Sequence, residues 1–498
     1  MKKLHFMAWP KQCTALLLGA AAILMASCAQ DGFNEESFES NVRDTQVQSP
    51  DADKITIKQN ASGTEQIISW PVVMGAGGFE CKLVDESDAN NPETIFEEIV
   101  DGCSFRAARE EDAKYRIYIR ALGNKKYNNT DASTTTEVAY TTITEAYKVI
   151  PSGTDLAKYF VPDSIPENEL DEVTKQLKPI AYDLEAGGIY TISDTVKFGN
   201  RKILLRSNKV GADIKTMKDK ACFEIQNGFT MRNLRIDCDS SNTSGLIVCS
   251  NAPEATVPFN ETKYTNAGTK GCYLISEPVE IRNCMIKDMH KALVSTGESN
   301  GWVVETLNIM NNIIQMDNEK NYFLNFYGSG KSSAFKELLI QFNTIYNLKE
   351  NNDQFAIRFG NASNAVKLFG TNSNPEVGRF KWQMTSNTIM RVFTGKAFGN
   401  NIPNNVCVIN IITDNIFIDV LQLEKYALGN QTKTTYNNYF WGIVSKVAAA
   451  DKKFGTEMDP GIVPPTTSLD LTQKNGGLNL TPTGEVFTSG SGDPRWLK

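Results

Sequence analysis

Six times in the C-terminal part of this 498-residue chain an asparagine is followed, two positions on, by an apolar side chain. The copies are Asn283-Cys-Met, Asn312-Ile-Ile, Asn343-Thr-Ile, Asn387-Thr-Ile, Asn415-Ile-Phe and Asn438-Tyr-Phe, with an imperfect seventh at Asn233-Leu-Arg-Ile. Their gaps are 29, 31, 44, 28 and 23 residues. A turn of a parallel β-helix uses roughly 20 to 30 residues, so the spacing predicts one asparagine per coil and one long excursion, placed at Asn361 to Arg379. In such a stack each strand pairs with its copy one turn away, about 4.8 Å along the axis. Inward side chains then form apolar columns, and an asparagine at each bend can bond to the next and satisfy buried polar groups. The recurring asparagine is therefore read as structural. A leucine-rich solenoid is the rival, but its L-x-x-L-x-L spacing is absent.

The N-terminus reads as a processing signal. Lys2 and Lys3 precede an apolar run from Thr14 to Ala26 that is short for a bilayer span, where about 20 residues are needed. It ends in Leu24-Met25-Ala26-Ser27-Cys28, which resembles the bacterial lipoprotein box although Met25 stands where that family prefers Leu. The resemblance implies a signal over 1–27, cleavage before Cys28, lipid attachment at Cys28 and a membrane contact through that anchor alone. Residues 28–51 are polar and read as a flexible tether. Asp31, Glu35 and Glu36 behind the cysteine resemble the surface-export signals of glycan-foraging Gram-negative lipoproteins. The expected location is the outer membrane, at the cell surface, with its periplasmic face as the alternative.

The formal net charge is −7, and loss of Lys2, Lys3 and Lys11 with the signal takes it to −10. An acidic chain makes a poor general partner for nucleic acid. Past the signal there is a single histidine, His290, which leaves little room for zinc hydrolase sites or Ser-His-Asp triads. No C-x-x-C occurs; Cys81 with Cys103 is the first disulfide pair to test, and the remaining cysteines read as small core residues.

Between about 52 and 148, short alternating strands at Ile55, Gln66–Trp70, Gly78–Val84, Lys114–Ala121 and Thr136–Thr142 argue a β-sandwich. Trp70 early and Tyr115 opening a Y-x-I-x-I-x-A strand resemble a fibronectin type III module, in which such a Trp packs the inter-sheet core and the Tyr makes a corner hydrogen bond. Residues 149–180 read as a helical junction. Ser164-Ile-Pro-Glu167 has capping-box spacing, Leu170, Val173 and Leu177 follow on one face, and Pro179 stops the helix, which would cover the open first turn of a solenoid. From 181 to 498, Tyr182-Asp-Leu-Glu-Ala-Gly-Gly-Ile-Tyr and the strands after it resemble the opening coils of pectate-lyase-like β-helices. The closing Gly492-Asp-Pro-Arg-Trp-Leu resembles the ends of uncharacterised β-helix lipoproteins from glycan-foraging bacteria. The expected fold is all-β: a fibronectin type III-like sandwich, then a right-handed parallel β-helix.

These resemblances imply a polysaccharide partner, pectin-like among the options, and an outer-membrane uptake complex. A pectate-type lyase removes a proton next to a uronate carboxylate with an Arg or Lys base, often with Ca²⁺, and so needs no histidine. The candidate basic cluster is Lys287, His290 and Lys291, with Asp288 as a metal ligand; a solvated turn is the alternative. Arg358, inside Phe355-Ala-Ile-Arg-Phe359, should project outward beside Asn325 of the previous coil. Trp302, Tyr327 and Trp382 are candidates for stacking on sugars, each with packing as the alternative. Asp237 and Asp239 flank Cys238 without forming the paired carboxylates a glycosidase needs. Gly328-Ser-Gly-Lys-Ser-Ser333 contains G-K-S but has Asn325 where a phosphate loop needs glycine, and reads as a polar loop. With no convincing catalytic cluster, a cell-surface polysaccharide-binding lipoprotein is the first expectation and a polysaccharide lyase the second.

Overall fold

The computed structural model describes residues 42–59, 65–87, 92–110, 113–170, 177–260, 271–297, 299–320, 322–327, 332–350, 356–360, 380–392, 399–404, 407–420, 431–442 and 454–498. Cys28, the excursion at 361–379, Val173 and most of the G-K-S loop lie outside them. The chain divides into two compact units, 1–144 and 145–498.

In the first unit, Thr56–Gln59, Glu65–Ser69 and Ser104–Ala108 form one antiparallel sheet. Glu93–Val100, Ala76–Asp85, Lys114–Gly123 and Thr136–Thr141 form a second. Alternation along Lys114–Gly123 turns Tyr115, Ile117, Ile119 and Ala121 inward, and they share one core with Ile68, Phe79, Leu83 and Phe105. Trp70 lies in that core with its ring 5.0 Å from Phe79, and the Tyr115 hydroxyl accepts a hydrogen bond from the Glu110 amide at 2.7 Å. Cys81 and Cys103 are both free thiols, with Cys81 buried and Cys103 half-buried at the same core.

The second unit is a stack of parallel coils. Successive strands visit three sheets in rotation, which hold twelve, ten and seven described strands. Ile203–Arg206 is followed by Ala212–Thr216 and Cys222–Ile225, and each pairs in parallel with its equivalent one coil later. The interior is filled by apolar columns such as Val196, Phe223, Ile247, Val294, Leu324 and Ile357. Trp302 and Trp382 belong to this interior. Both have no exposed surface, and their indole N–H groups donate to the carbonyls of Ser250 at 3.0 Å and Phe335 at 3.4 Å. Neither ring can meet a sugar, so both leave the list of stacking residues.

The asparagine column holds from Asn312 onward. Each Nδ2 donates to the next Oδ1: Asn312 to Asn343 at 2.9 Å, Asn343 to Asn387 at 3.0 Å, Asn387 to Asn415 at 2.9 Å and Asn415 to Asn438 at 2.9 Å. Asn283 is not part of it. The amide of Cys284 donates to Asn312 Oδ1, so Cys284 occupies the first ladder position and Asn283 sits one residue before it. That preceding position is left-handed on seven successive coils, at Asn233, Asn283, Asn311, Phe342, Ser386, Asp414 and Asn437, all with φ between 53° and 59°. Two columns therefore turn the corner: a left-handed residue that makes the bend, and a buried amide that satisfies it. Asparagine suits the first column through tolerance of left-handed φ, and the second through its side-chain hydrogen bonds.

The junction differs from expectation. Ala146–Ile150 already pairs in parallel with Ile180–Leu184, so the coil begins there and not at 181. One helical turn, Leu156–Tyr159, with Asp155 as its N-cap, places Leu156 in the interior, joined there by Phe160 and Ile165. The helix expected after Ser164 is absent over the described part: a 3-10 turn at Pro162–Ser164 ends with Ile165 extended. Pro166 explains this, because the residue before a proline is driven out of the helical region.

Candidate functional site

The ten-stranded sheet offers no outer surface along much of its length. Its outward columns, Ile313, Thr344, Thr388, Ile416 and Tyr439 beside Tyr346, Met390 and Ile418, are largely apolar. They pack under the C-terminal tail against Ile462, Leu469, Leu480, Val486 and Trp496. The end of the tail then runs back along the corner column. Ser491 Oγ donates to Asn437 O at 2.7 Å, Gly492 N to Asp414 O at 2.7 Å, Asp493 N to Thr388 Oγ1 at 3.1 Å, and Arg495 Nη2 to Asn311 Oδ1 at 2.7 Å. These contacts run over five rungs, a span of about 19 Å. The Thr344 hydroxyl donates to buried Asp493 Oδ2 at 2.8 Å and accepts from Trp496 Nε1 at 2.7 Å. The Gly-Asp-Pro-Arg-Trp ending is therefore a strap across the stack.

The sequence cluster at Lys287 anchors the same tail. Lys287 lies 3.0 Å from Asp288 and 3.4 Å from Asp237. Burial pulls its pKa down, but the hydrogen bond to Asp288 and the two negative charges outweigh this and hold it above the ordinary lysine value. An amine so held is a poor base. Asp288 accepts from Lys287, from Gln315 Nε2 at 3.0 Å and from Ser468 Oγ at 2.7 Å. Burial opposes its charge, yet these bonds keep its pKa below the usual carboxylate value. Its oxygens meet an ammonium, an amide N–H and a hydroxyl proton, a set that does not fit a cation. Among the described residues no group of three metal-ligating side chains occurs. His290 faces two backbone carbonyls, Asp317 O at 2.9 Å from Nδ1 and Asp239 O at 3.0 Å from Nε2. A neutral imidazole donates to one of the two, and with a carbonyl against each ring nitrogen His290 bridges three coils. Lys291 is half-buried in front of Ala292–Ser295 and has no ion-pair partner among the described residues. Lys287, Asp288 and His290 thus serve the fold, and the structure does not bring Arg358 into their company.

The seven-stranded sheet presents a different face. Its register builds one column on the side away from the interior: Lys197, Glu224, Val248, Ser295, Asn325, Arg358 and Asn400, of which Val248 and Ser295 are covered and the others are at least partly open. The alternations Leu324-Asn325-Phe326 and Ile357-Arg358-Phe359 turn the apolar residues in and the polar ones out. Arg358 is half-buried against two tyrosines of the previous coil. Its guanidinium carbon sits 3.7 Å from the ring centre of Tyr327 and 4.8 Å from that of Tyr322, and Nη1 donates to the Tyr322 hydroxyl. Arg206, Arg235 and Arg282 pair with Asp183, Asp213 and Glu280, but Arg358 has no carboxylate partner among the described residues. The two tyrosine rings desolvate and orient the cation. Tyr322 escaped the sequence reading; the apolar-polar-apolar pattern between Tyr322 and Tyr327 was the available signal.

Comparison with known proteins adds little to this geometry. Residues 1–187 match a family model described as a domain of unknown function, and residues 188–348 match a second, Domain of unknown function (DUF4957). No curated protein matches. Among solved structures, pectate lyase PelI from Erwinia chrysanthemi in complex with tetragalacturonic acid is similar at 11% identity, over 61% of this chain and 86% of that one, with a TM-score of 0.14. Pectate lyase Pel3 from Pectobacterium carotovorum is similar at 10% identity, over 83% of this chain and 100% of that one, with a TM-score of 0.16. At such scores the likeness bears no weight, and the coil rests on the strand register.

Proposed function

We propose that this protein is a cell-surface polysaccharide-binding lipoprotein of a glycan-utilisation system, and that it holds its ligand along the outer face of the seven-stranded sheet around Arg358. In this reading Cys28 carries the lipid, residues 28–51 are the tether, and the first unit is a fibronectin type III-like spacer. The core Trp70 and the Tyr115–Glu110 bond support that last assignment. The observation that carries the proposal is the guanidinium of Arg358, held over the rings of Tyr327 and Tyr322 and bonded to the Tyr322 hydroxyl, with no carboxylate partner among the described residues. A cation set against aromatic rings suits a sugar that bears an acidic group: the charge meets the carboxylate, and the rings meet the C–H face. Binding is favoured over cleavage because Lys287 and His290 are tied into the fold.

Native gels cast with polygalacturonate, alginate, xylan or a neutral β-glucan test the proposal. The wild-type chain should be retarded by an acidic polysaccharide, and Arg358→Ala should lose the retardation while keeping the wild-type unfolding midpoint. Equal mobility in every gel would overturn it. Growth of an ultraviolet-absorbing unsaturated product would instead make the protein a lyase, with Tyr322 as the first residue to test as base.

A further inference from the structure

We propose that Phe259 is a stacking platform for a pyranose ring of the same glycan chain that Arg358 holds, so that the chain lies along the coil axis; this rests on the polysaccharide-binding reading above. The strands of the seven-stranded sheet that end at Cys249, Ser295 and Phe326 are each followed along the chain by a strand of one flanking wall. The wall is Cys272–Ile275, the leading part of Trp302–Met310, and the leading part of Ala334–Gln341, paired in parallel. Tyr327 directly follows Phe326, beside Arg358. Phe259–Asn260 adds antiparallel to the far side of Cys272–Ile275, with Phe259 opposite Tyr273. Phe259 therefore stands three strand spacings, about 14 Å, from the strand that follows Tyr327. One sugar cannot bridge that span, and a short oligosaccharide can.

Phe259 is also built to receive a ring. It is 44% exposed. Its ring centre lies 4.7 Å from that of Tyr273, which lies 5.1 Å from that of Trp302. Trp302 has no exposed surface and is fixed by its bond to Ser250 O. An aromatic column thus runs from the core to a half-open face, so the outermost ring has little freedom left to lose on binding. The continuity of this wall with the Arg358 face points to the glycan as occupant.

Calorimetry with the dimer and the octamer of whichever gel polysaccharide retards the wild type provides the test. Phe259→Ala should weaken the octamer about tenfold, the size of one good aromatic contact, and leave the dimer unchanged. Phe259→Trp should restore octamer binding. Unfolding midpoints equal to wild type should accompany both variants, because so much of the ring is in solvent. An octamer bound by Phe259→Ala as tightly as by wild type would overturn the platform while leaving the Arg358 reading intact, as would equal losses for dimer and octamer. A wild-type chain that no polysaccharide retards would remove both.

Discussion

Asn387→Ala should destabilise the coil several times more than Asn283→Ala, although the two asparagines look equivalent in the repeat. Asn387 has no exposed surface. Its Oδ1 accepts from Asn343 N at 3.0 Å and from Asn343 Nδ2 at 3.0 Å, and its Nδ2 donates to Ile340 O at 2.8 Å and to Asn415 Oδ1 at 2.9 Å. Truncation strands the amide of Asn343 and weakens the satisfaction of the Ile340 carbonyl, both inside the stack. A buried polar group left without a partner costs about 1–3 kcal/mol, so the pair comes to about 4 kcal/mol. Asn283 is exposed, with φ at 53°, and its Oδ1 serves only the exposed side chain of Asn311. Alanine there has to adopt left-handed φ, at about 1 kcal/mol. Urea unfolding followed by intrinsic fluorescence reads the two losses. Peptide-level hydrogen exchange shows whether the damage centres on residues 340 to 345, as it should in a stack coupled mainly between neighbours. Equal losses for the two variants, or a loss under about 1 kcal/mol for Asn387→Ala, would refute the ladder reasoning.

Three further outcomes follow from the tail and the thiols. The Asp288 carboxyl has a folded pKa below its unfolded value, so its stabilising contribution is present above about pH 4 and lost as the pH falls through the folded value. Tail peptides around Ser468 should accordingly exchange faster in acid, and Asp288→Asn should remove that pH dependence. Thr344→Val should loosen the strap by about 1–3 kcal/mol, because Asp493 and the Trp496 indole lose a shared partner; limited proteolysis after residue 458 would reveal it. Burial pushes the thiols of Cys222 up to about 11 and of Cys284 up to about 12, whereas Cys103 is only half-buried. Alkylation of the native protein, mapped by mass spectrometry, should therefore mark Cys103 before any other cysteine among those in the described residues; prior labelling of Cys284 would contradict the packing.

The parallel coil was legible because its signal repeats. Asparagine and aliphatic residues recur at coil spacing, and five of the six copies fall on one column. The sixth, Asn283, failed because the corner has two asparagine-tolerant positions side by side. Spacing alone does not distinguish the left-handed bend residue from the buried amide after it. The outward projection of Arg358 beside Asn325 could be read from alternation, since a polar residue between two large apolar ones in a strand faces away from the core. Trp302 and Trp382 were misplaced among the stacking residues because an aromatic at coil spacing looks the same whether it points in or out; only the register turns it. The tail's role was missed despite a usable signal. Ile313-Ile-Gln-Met, Ile416-Phe-Ile and Tyr439-Phe-Trp lack alternation, which is the mark of a strand covered on both faces. The cluster from Lys287 to Lys291 was misread because charge in a sequence does not reveal its partners. Asp237 and Ser468, which neutralise and fill it, lie 50 and 181 residues from Lys287 along the chain.

Hydrogen exchange with and without a saturating acidic polysaccharide tests the central claim most directly, because it reads location and not merely affinity. Protection should concentrate in 322–327 and 357–359, on the outward column of the seven-stranded sheet, and should vanish in Arg358→Ala. Protection confined to residues 42–144, or to the twelve-stranded sheet, with 322–327 and 357–359 unchanged, would contradict it.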